Sequence, residues 1–279
     1  MMFLQPKTRP ELVDALKQMT ADSHLVAGCT DFLAKRNGQY WDADLLVSLT
    51  AMEELKTIAL REDGLVIGAL CTHTQVEEDP LVGKYFPAFV QACGNVGSKQ
   101  IRNRGTVGGS VGNASPAGDI YPVLLALNAR AEILCGSGEI RSVPVEQVIR
   151  GVGKTALTEN EAITAFVVPL PAEGARCAFG KLGERAKVTI AKINLAIAAD
   201  AEDGKLKNVR VALGAVAEKA FLSAEAAAVL EGAEIAALPE ESFADTLSAI
   251  VRQAIPTRAS MPYKNAAIRG LAKDVLALL

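Results

Sequence analysis

Charge of one sign, aromatic rings and paired cysteines are all scarce in this sequence. Lysine and arginine number 29 against 32 aspartates and glutamates, a net charge of −3. A nucleic-acid or anionic-membrane binder would show a basic excess, so both classes are set aside. The five cysteines, Cys29, Cys71, Cys93, Cys135 and Cys177, are far apart and form no C-x-x-C. That spacing supports neither a zinc site nor an iron–sulfur cluster on this chain, and it reads as buried reduced thiols. No stretch approaches the roughly 20 apolar residues of a membrane span. The opening MMFLQPKTRPEL lacks the apolar core of a signal peptide, so a cytoplasmic protein is expected. Neither G-x-x-x-x-G-K-[ST] nor G-x-G-x-x-G occurs, which excludes a P-loop and a standard dinucleotide fold.

What is present is glycine and alanine. Few aromatics and many small residues mean that backbone must approach backbone or ligand closely in several places. The 279 residues suffice for one large domain or two modest ones, burying roughly three-quarters of the unfolded surface. Thr8-x-x-Glu11 around Pro10 predicts a capped helix, with Leu12, Val13, Leu16 and Met19 at helical spacing. Short strands are expected at 25–27 and 45–49, and hairpins about Asp63-Gly64 and Gly136-Ser137-Gly138. A helix is expected over 81–96 and another over 121–127. Beyond Pro169 and Pro171, residues 193–197 and 209–213 alternate strictly about Asp203-Gly204, predicting a half-buried antiparallel sheet. Helices over 224–230, 240–254 and 266–279 should follow. No repeat or low-complexity linker interrupts the chain, and a boundary is expected near 172.

The chemistry concentrates in QIRNRGTVGGSVGNASPAGD, residues 100–119. Gly105, Gly108, Gly109, Gly112 and Gly118 alternate with Thr106, Ser110, Asn113 and Ser115. Glycines allow amides to reach a ligand's oxygens, and hydroxyls add neutral donors. Such a run suits a pyrophosphate, with Arg102 and Arg104 adding positive charge nearby. It also suits a tight structural turn. The earlier loop Ala27-Gly28-Cys29-Thr30-Asp31 strengthens the nucleotide reading.

On these motifs, together with FLQPKTRPELVDAL, VAGCTDFL, ENEAITAFVVP, FGKLGERAKVTIAKINLAIAAD and TRASMPYKNAAIRGL, the sequence resembles the FAD-binding subunits of molybdenum hydroxylases. These include xanthine, carbon monoxide and nicotinate dehydrogenases. The resemblance implies an α+β chain. A two-subdomain PCMH-type FAD-binding domain would span 1–171, divided near 52, and a small domain of antiparallel sheet and helices would span 172–279. It implies that Ala27, Gly28, Thr30 and Asp31 line one side of the FAD pyrophosphate and ribose, and that Thr106, Gly108, Gly109 and Ser110 line the other. Asn113 and Asp119 would contact the phosphate and ribityl region, Val96 and Gly97 the adenine, and Ile163 and Lys181 the isoalloxazine ring. Leu25, Val26, Cys29, Phe32 and Ser115 complete the implied cofactor set, with no metal ligand and no catalytic side chain. A cation at Lys181 would stabilise the charge that reduced flavin develops.

Implied partners are a molybdenum-cofactor large subunit, a small subunit with two [2Fe–2S] clusters and a soluble electron acceptor, NAD+ by family frequency. Two other readings stay open: a self-sufficient FAD oxidase or reductase, and a flavin-free scaffold joining two partners. The sequence departs from the family at Cys29, where a second glycine is usual, and at Thr189, where an acidic residue is common. It leaves Thr189 and Arg185 without a role. His24 and His73, the only histidines, are read as structural more readily than functional.

Overall fold

The computed structural model describes residues 2–35 and 43–279. Its first layer is a three-stranded parallel sheet with Leu45–Ser48 between Met2–Leu4 and His24–Val26. Leu45–Ser48 is central because it is buried on both faces. The helix Arg9–Leu16 starts at Thr8, whose hydroxyl accepts the Glu11 amide, and buries Leu12, Ala15 and Leu16 against this sheet. The capping box is incomplete: the Glu11 carboxylate accepts from the Lys7 amide at 2.8 Å, not from Thr8. Met19 falls beyond the helix end.

The second layer is a five-stranded sheet in the order Ile58–Arg61, Gly64–Gly68, Glu161–Val168, Arg130–Cys135, Ile140–Pro144. Both expected hairpins are there, joined through the wholly buried strand Glu161–Val168. The single helix expected over 81–96 is two, Pro80–Tyr85 and Pro87–Gly94. Pro87 has no N–H and drives Phe86 out of the helical region, to φ −138° and ψ 61°. The helix His73–Glu78, opened by a complete Thr72–Gln75 capping box, was not anticipated. These helices and Ile120–Ala126 enclose the central core around Phe86, Phe89, Val107, Val111, Leu124 and Phe166.

The carboxy-terminal sheet runs Arg176–Leu182, Ile193–Glu202, Lys205–Gly214, Phe221–Leu222, all antiparallel. It is covered by helices Ala224–Leu230, Glu240–Ala254 and Met261–Leu276. The last begins five residues before the expected 266, with Pro262 in its first turn. The sheet is also buried on both faces, not half-buried. Its alternation is one of size: Leu195, Ile197, Val211 and Leu213 meet the helices, whereas Ala196, Ala198 and Ala212 join the central core of the first domain. No described helix is long and apolar enough to cross a membrane.

Candidate functional site

Two loops meet over the junction of the first two sheets and form a groove of about 540 Å³, within the roughly 300–1,000 Å³ of small-molecule sites. The first loop leaves His24–Val26 and passes through Ala27, Gly28, Cys29, Thr30 and Asp31 to the short helix Phe32–Lys35. The second passes Arg104 and Gly105 to Thr106, which caps the helix Val107–Asn113. They touch backbone to backbone at Gly28, where a β-carbon would lie 1.8 Å from the Arg104 carbonyl oxygen.

The helix Val107–Asn113 has two faces, as its spacing dictates. Val107 and Val111, four apart, are fully buried, and Gly108 lies against Ala69. Thr106, Gly109, Ser110, Gly112 and Asn113 line the groove. The expected cradle of amides is not built here. The Val107 amide donates to the Cys71 carbonyl, Gly108 to Ala69, Ser110 to Thr106, and Gly109 to the Thr106 hydroxyl at 3.0 Å. Every amide of the first turn is consumed by the fold. The donors left on this wall are hydroxyls, because Thr106 accepts with its oxygen and keeps its proton for another partner. Free amides come from the opposite wall: those of Gly28, Cys29 and Thr30 have no acceptor among the described residues. A concave site with neutral donors on both walls and no carboxylate from the glycine helix fits a pyrophosphate.

Leu25, Val26, Ala27, Gly28, Cys29, Thr30, Asp31, Phe32 and Ile163 also line this groove. His24 lines it too, its ring edge-on to Phe32 at 5.4 Å. Leu49 and Leu70, just beyond the strands Leu45–Ser48 and Gly64–Gly68, and Ala162 in Glu161–Val168 supply apolar wall, and Gly153 and Leu157 close it from a segment remote in sequence. The glycine run signalled Gly105 and Gly112. Nothing local signalled Gly153, which is held by its amide on the Ala114 carbonyl at 3.0 Å.

Cys29 keeps the left-handed backbone that a glycine would adopt freely, with φ 59°. Its side chain turns back, the thiol 3.4 Å from the Ala27 carbonyl, and burial pushes the thiol pKa up. Left-handed backbone costs an L-residue roughly 1–2 kcal/mol, against roughly 0.5–1 kcal/mol for glycine's extra freedom when unfolded. Cys29→Gly is therefore expected to raise stability by about 0.5–1 kcal/mol and to retain FAD, as measured by urea titration and flavin stoichiometry. A lower midpoint would show that the thiol contact outweighs the strain.

Val96, Gly97, Ser115, Asp119 and Lys181 do not line the groove; Asp119 and Lys181 form a second cluster, reached from Asn113 along the loop 114–119. The Lys181 Nζ donates to Asp119 Oδ2 at 2.6 Å and to the Asn95 carbonyl at 2.9 Å. Both side chains of the pair are about 5% exposed (5% and 6%). Asn194, fully buried, donates to Asp119 Oδ1 at 3.3 Å and to the Gly118 carbonyl at 3.1 Å. Lys181 is thus no solvated strand charge. Val96 and Gly97 directly follow Asn95, whose carbonyl accepts from Lys181; Val96 packs on the central core. The resemblance put Val96 and Gly97 at adenine and Lys181 at the isoalloxazine ring; the Lys181–Asn95 bond brings Lys181 to the chain at 95. Ser115 closes a local turn, accepting from the Ala117 amide.

The unassigned loop residues have structural work. The Arg185 guanidinium donates to the Lys187 and Val188 carbonyls, and Thr189 Oγ1 accepts the Glu184 amide. Together they hold a loop in which Val188 has φ 51°. No group of acidic, histidine or cysteine side chains suited to a metal occurs among the described residues.

Known proteins resemble this chain over nearly its whole length. The chain is 28% identical over 278 residues to the nicotinate dehydrogenase FAD-subunit of Eubacterium barkeri, covering 98% of this chain and 94% of the relative. It is 29% identical to the carbon monoxide dehydrogenase medium chain of Hydrogenophaga pseudoflava, covering 97% and 94%. A solved structure of carbon monoxide dehydrogenase from that organism superposes with a TM-score of 0.89 at 27% identity, covering 99% of this chain and 96% of that one. Residues 178–279 match the CO dehydrogenase flavoprotein C-terminal domain. Residues 1–171 match the FAD binding domain in molybdopterin dehydrogenase, and the chain belongs to that family of FAD-binding oxidoreductase subunits.

Proposed function

We propose that this chain is the flavin subunit of a molybdenum hydroxylase. Its FAD takes electrons from the [2Fe–2S] clusters of a small subunit, working beside a molybdenum-cofactor large subunit, and yields them to NAD+ or another soluble acceptor. The groove between Gly28 and Gly109 carries this reading: amides at 28–30 with no acceptor among the described residues face the hydroxyls of Thr106 and Ser110, with apolar flanks. Relatives named as an FAD-subunit and a medium chain support a place in a larger enzyme. Bound FAD supplies the redox chemistry, taking electrons singly and giving them up as a pair. The residues of this chain hold and shield it. Gly28, Cys29 and Thr30 donate from one wall and Thr106 and Ser110 from the other, while Leu49, Leu70, Ala162 and Ile163 exclude water. None of these groups acts as nucleophile or general base.

The test is reconstitution. The purified chain should take up one FAD and no iron. In the assembled enzyme, the large-subunit substrate should reduce that FAD at least about a hundredfold faster than in the isolated chain, by stopped-flow absorbance. Equal rates would instead favour a self-sufficient flavoenzyme, and stoichiometric iron in the isolated chain would reassign the clusters.

A further inference from the structure

His73 is 1% exposed and takes no direct part in lining the groove, yet it is bonded to a residue that does. Its Nε2 lies 3.0 Å from the Ser110 hydroxyl oxygen. The ring has little freedom. The His73 amide donates to the Gly105 carbonyl at 3.0 Å, and a β-carbon at Gly105 would lie 3.1 Å from His73 Cδ2. The remaining ring nitrogen, Nδ1, is buried without a partner.

We propose that His73 is a positioning residue for the cofactor: its Nε2–H is spent on the Ser110 oxygen, so that the Ser110 proton must point into the groove as a donor to a phosphate oxygen. This rests on the reading of the groove as the FAD pyrophosphate site.

The argument is one of counting protons. A neutral imidazole has one N–H and one lone pair. If the proton is on Nδ1, a buried donor is left unpaired, and Nε2 draws the serine proton inward, turning the hydroxyl lone pairs toward an anion. If it is on Nε2, Ser110 accepts from His73 and donates outward, gaining a charge-assisted bond to phosphate. An anion in the groove therefore selects the second tautomer. Protonation to imidazolium does not intervene, because burial, reinforced by the Arg102 charge, lowers the His73 pKa to about 4. A histidine locked neutral gives a fixed donor that does not change between pH 6 and 8. The arrangement also compensates for the amides of Gly108 and Gly109, already spent on the Ala69 carbonyl and the Thr106 hydroxyl.

The experiment compares FAD dissociation constants of the full chain for wild type, Ser110→Ala, His73→Leu, His73→Gln and the double variant Ser110→Ala/His73→Leu. Ser110→Ala and His73→Leu should each weaken FAD about tenfold, and the double variant no more than either alone. Gln, whose amide can donate from near the Nε2 position, should recover most of the loss. With only two histidines in the chain, nitrogen-15 shifts of labelled wild type report the tautomer directly, whatever the variants do. The FAD complex should show Nε2–H. An Nδ1–H tautomer, or equal further losses from His73→Leu with and without the Ser110 hydroxyl, overturns the positioning role alone. A folded wild-type chain that takes up no FAD overturns the cofactor reading beneath it.

Discussion

Gly28→Ala is expected to destabilise the chain by roughly 3 kcal/mol or more and to abolish FAD uptake, although it adds a single carbon. That carbon would lie 1.8 Å from the Arg104 carbonyl oxygen and 2.6 Å from its carbon. Overpacking usually costs about 1–3 kcal/mol when side chains can yield. Here the obstacle is main chain on the opposite wall, so relief requires the two loops to part. Gly109→Val provides the contrast. Its β-carbon would lie 2.7 Å from the Thr106 hydroxyl, too close to leave that group in place, and near no backbone beyond its own helix. The cost is a weakened helix cap, about 0.5–2 kcal/mol, while the branched side chain fills the groove. That variant should remain folded by circular dichroism and lose FAD. Guanidinium titration and flavin stoichiometry on both variants separate the two effects. A Gly28→Ala chain of unchanged stability would mean that the loops are not in contact.

Lys181→Met is expected to cost about 3–5 kcal/mol, the penalty for breaking a buried ion pair and leaving one charge alone. Asp119 would remain buried with, among the described residues, the Asn194 amide as its side-chain partner. Even in the intact protein, burial outweighs the attraction of Lys181 and holds the Asp119 carboxyl above its ordinary 3.8. The folded state then binds this proton more tightly than the unfolded state. The carboxyl's contribution is full below 3.8 and is lost as pH rises through the raised folded value. Removing the lysine removes the opposing attraction, so the loss should be greater at neutral pH than near pH 4. Lys181→Met with Asp119→Asn should recover much of it, since no charge is left unpaired. Denaturation midpoints of the three chains across pH give the answer. Unchanged stability with a lowered flavin potential would show instead that Lys181 serves the ring and that its bond to Asp119 is expendable.

The sequence was most legible where local geometry decides. The hairpins about Asp63-Gly64 and Gly136-Ser137-Gly138 need only a turn between alternating runs, and both formed. The glycine run marked the groove, but not how it is lined. Whether an amide is free depends on Ala69 and Cys71, some 40 residues earlier along the chain, and no spacing within the run reports that. Likewise Cys29 was visible as a departure, whereas its positive φ is a property of the loop's path. The pairing of Asp119 with Lys181, 62 residues apart, comes from two domains meeting. So does the second buried face of the carboxy-terminal sheet, because alanines at 196, 198 and 212 look the same facing water or facing another core.

Those alanines also limit what the molecule can do as it works. Ala196, Ala198, Ala212 and Phe179 are continuous with the core around Phe89 and Leu124, so the two domains share one interior. Hinge bending between them would pull apolar surface into water with every excursion, and relative motion is the default only for small, polar interdomain contacts. The two domains then behave as one frame, and its geometry is set when the chain folds.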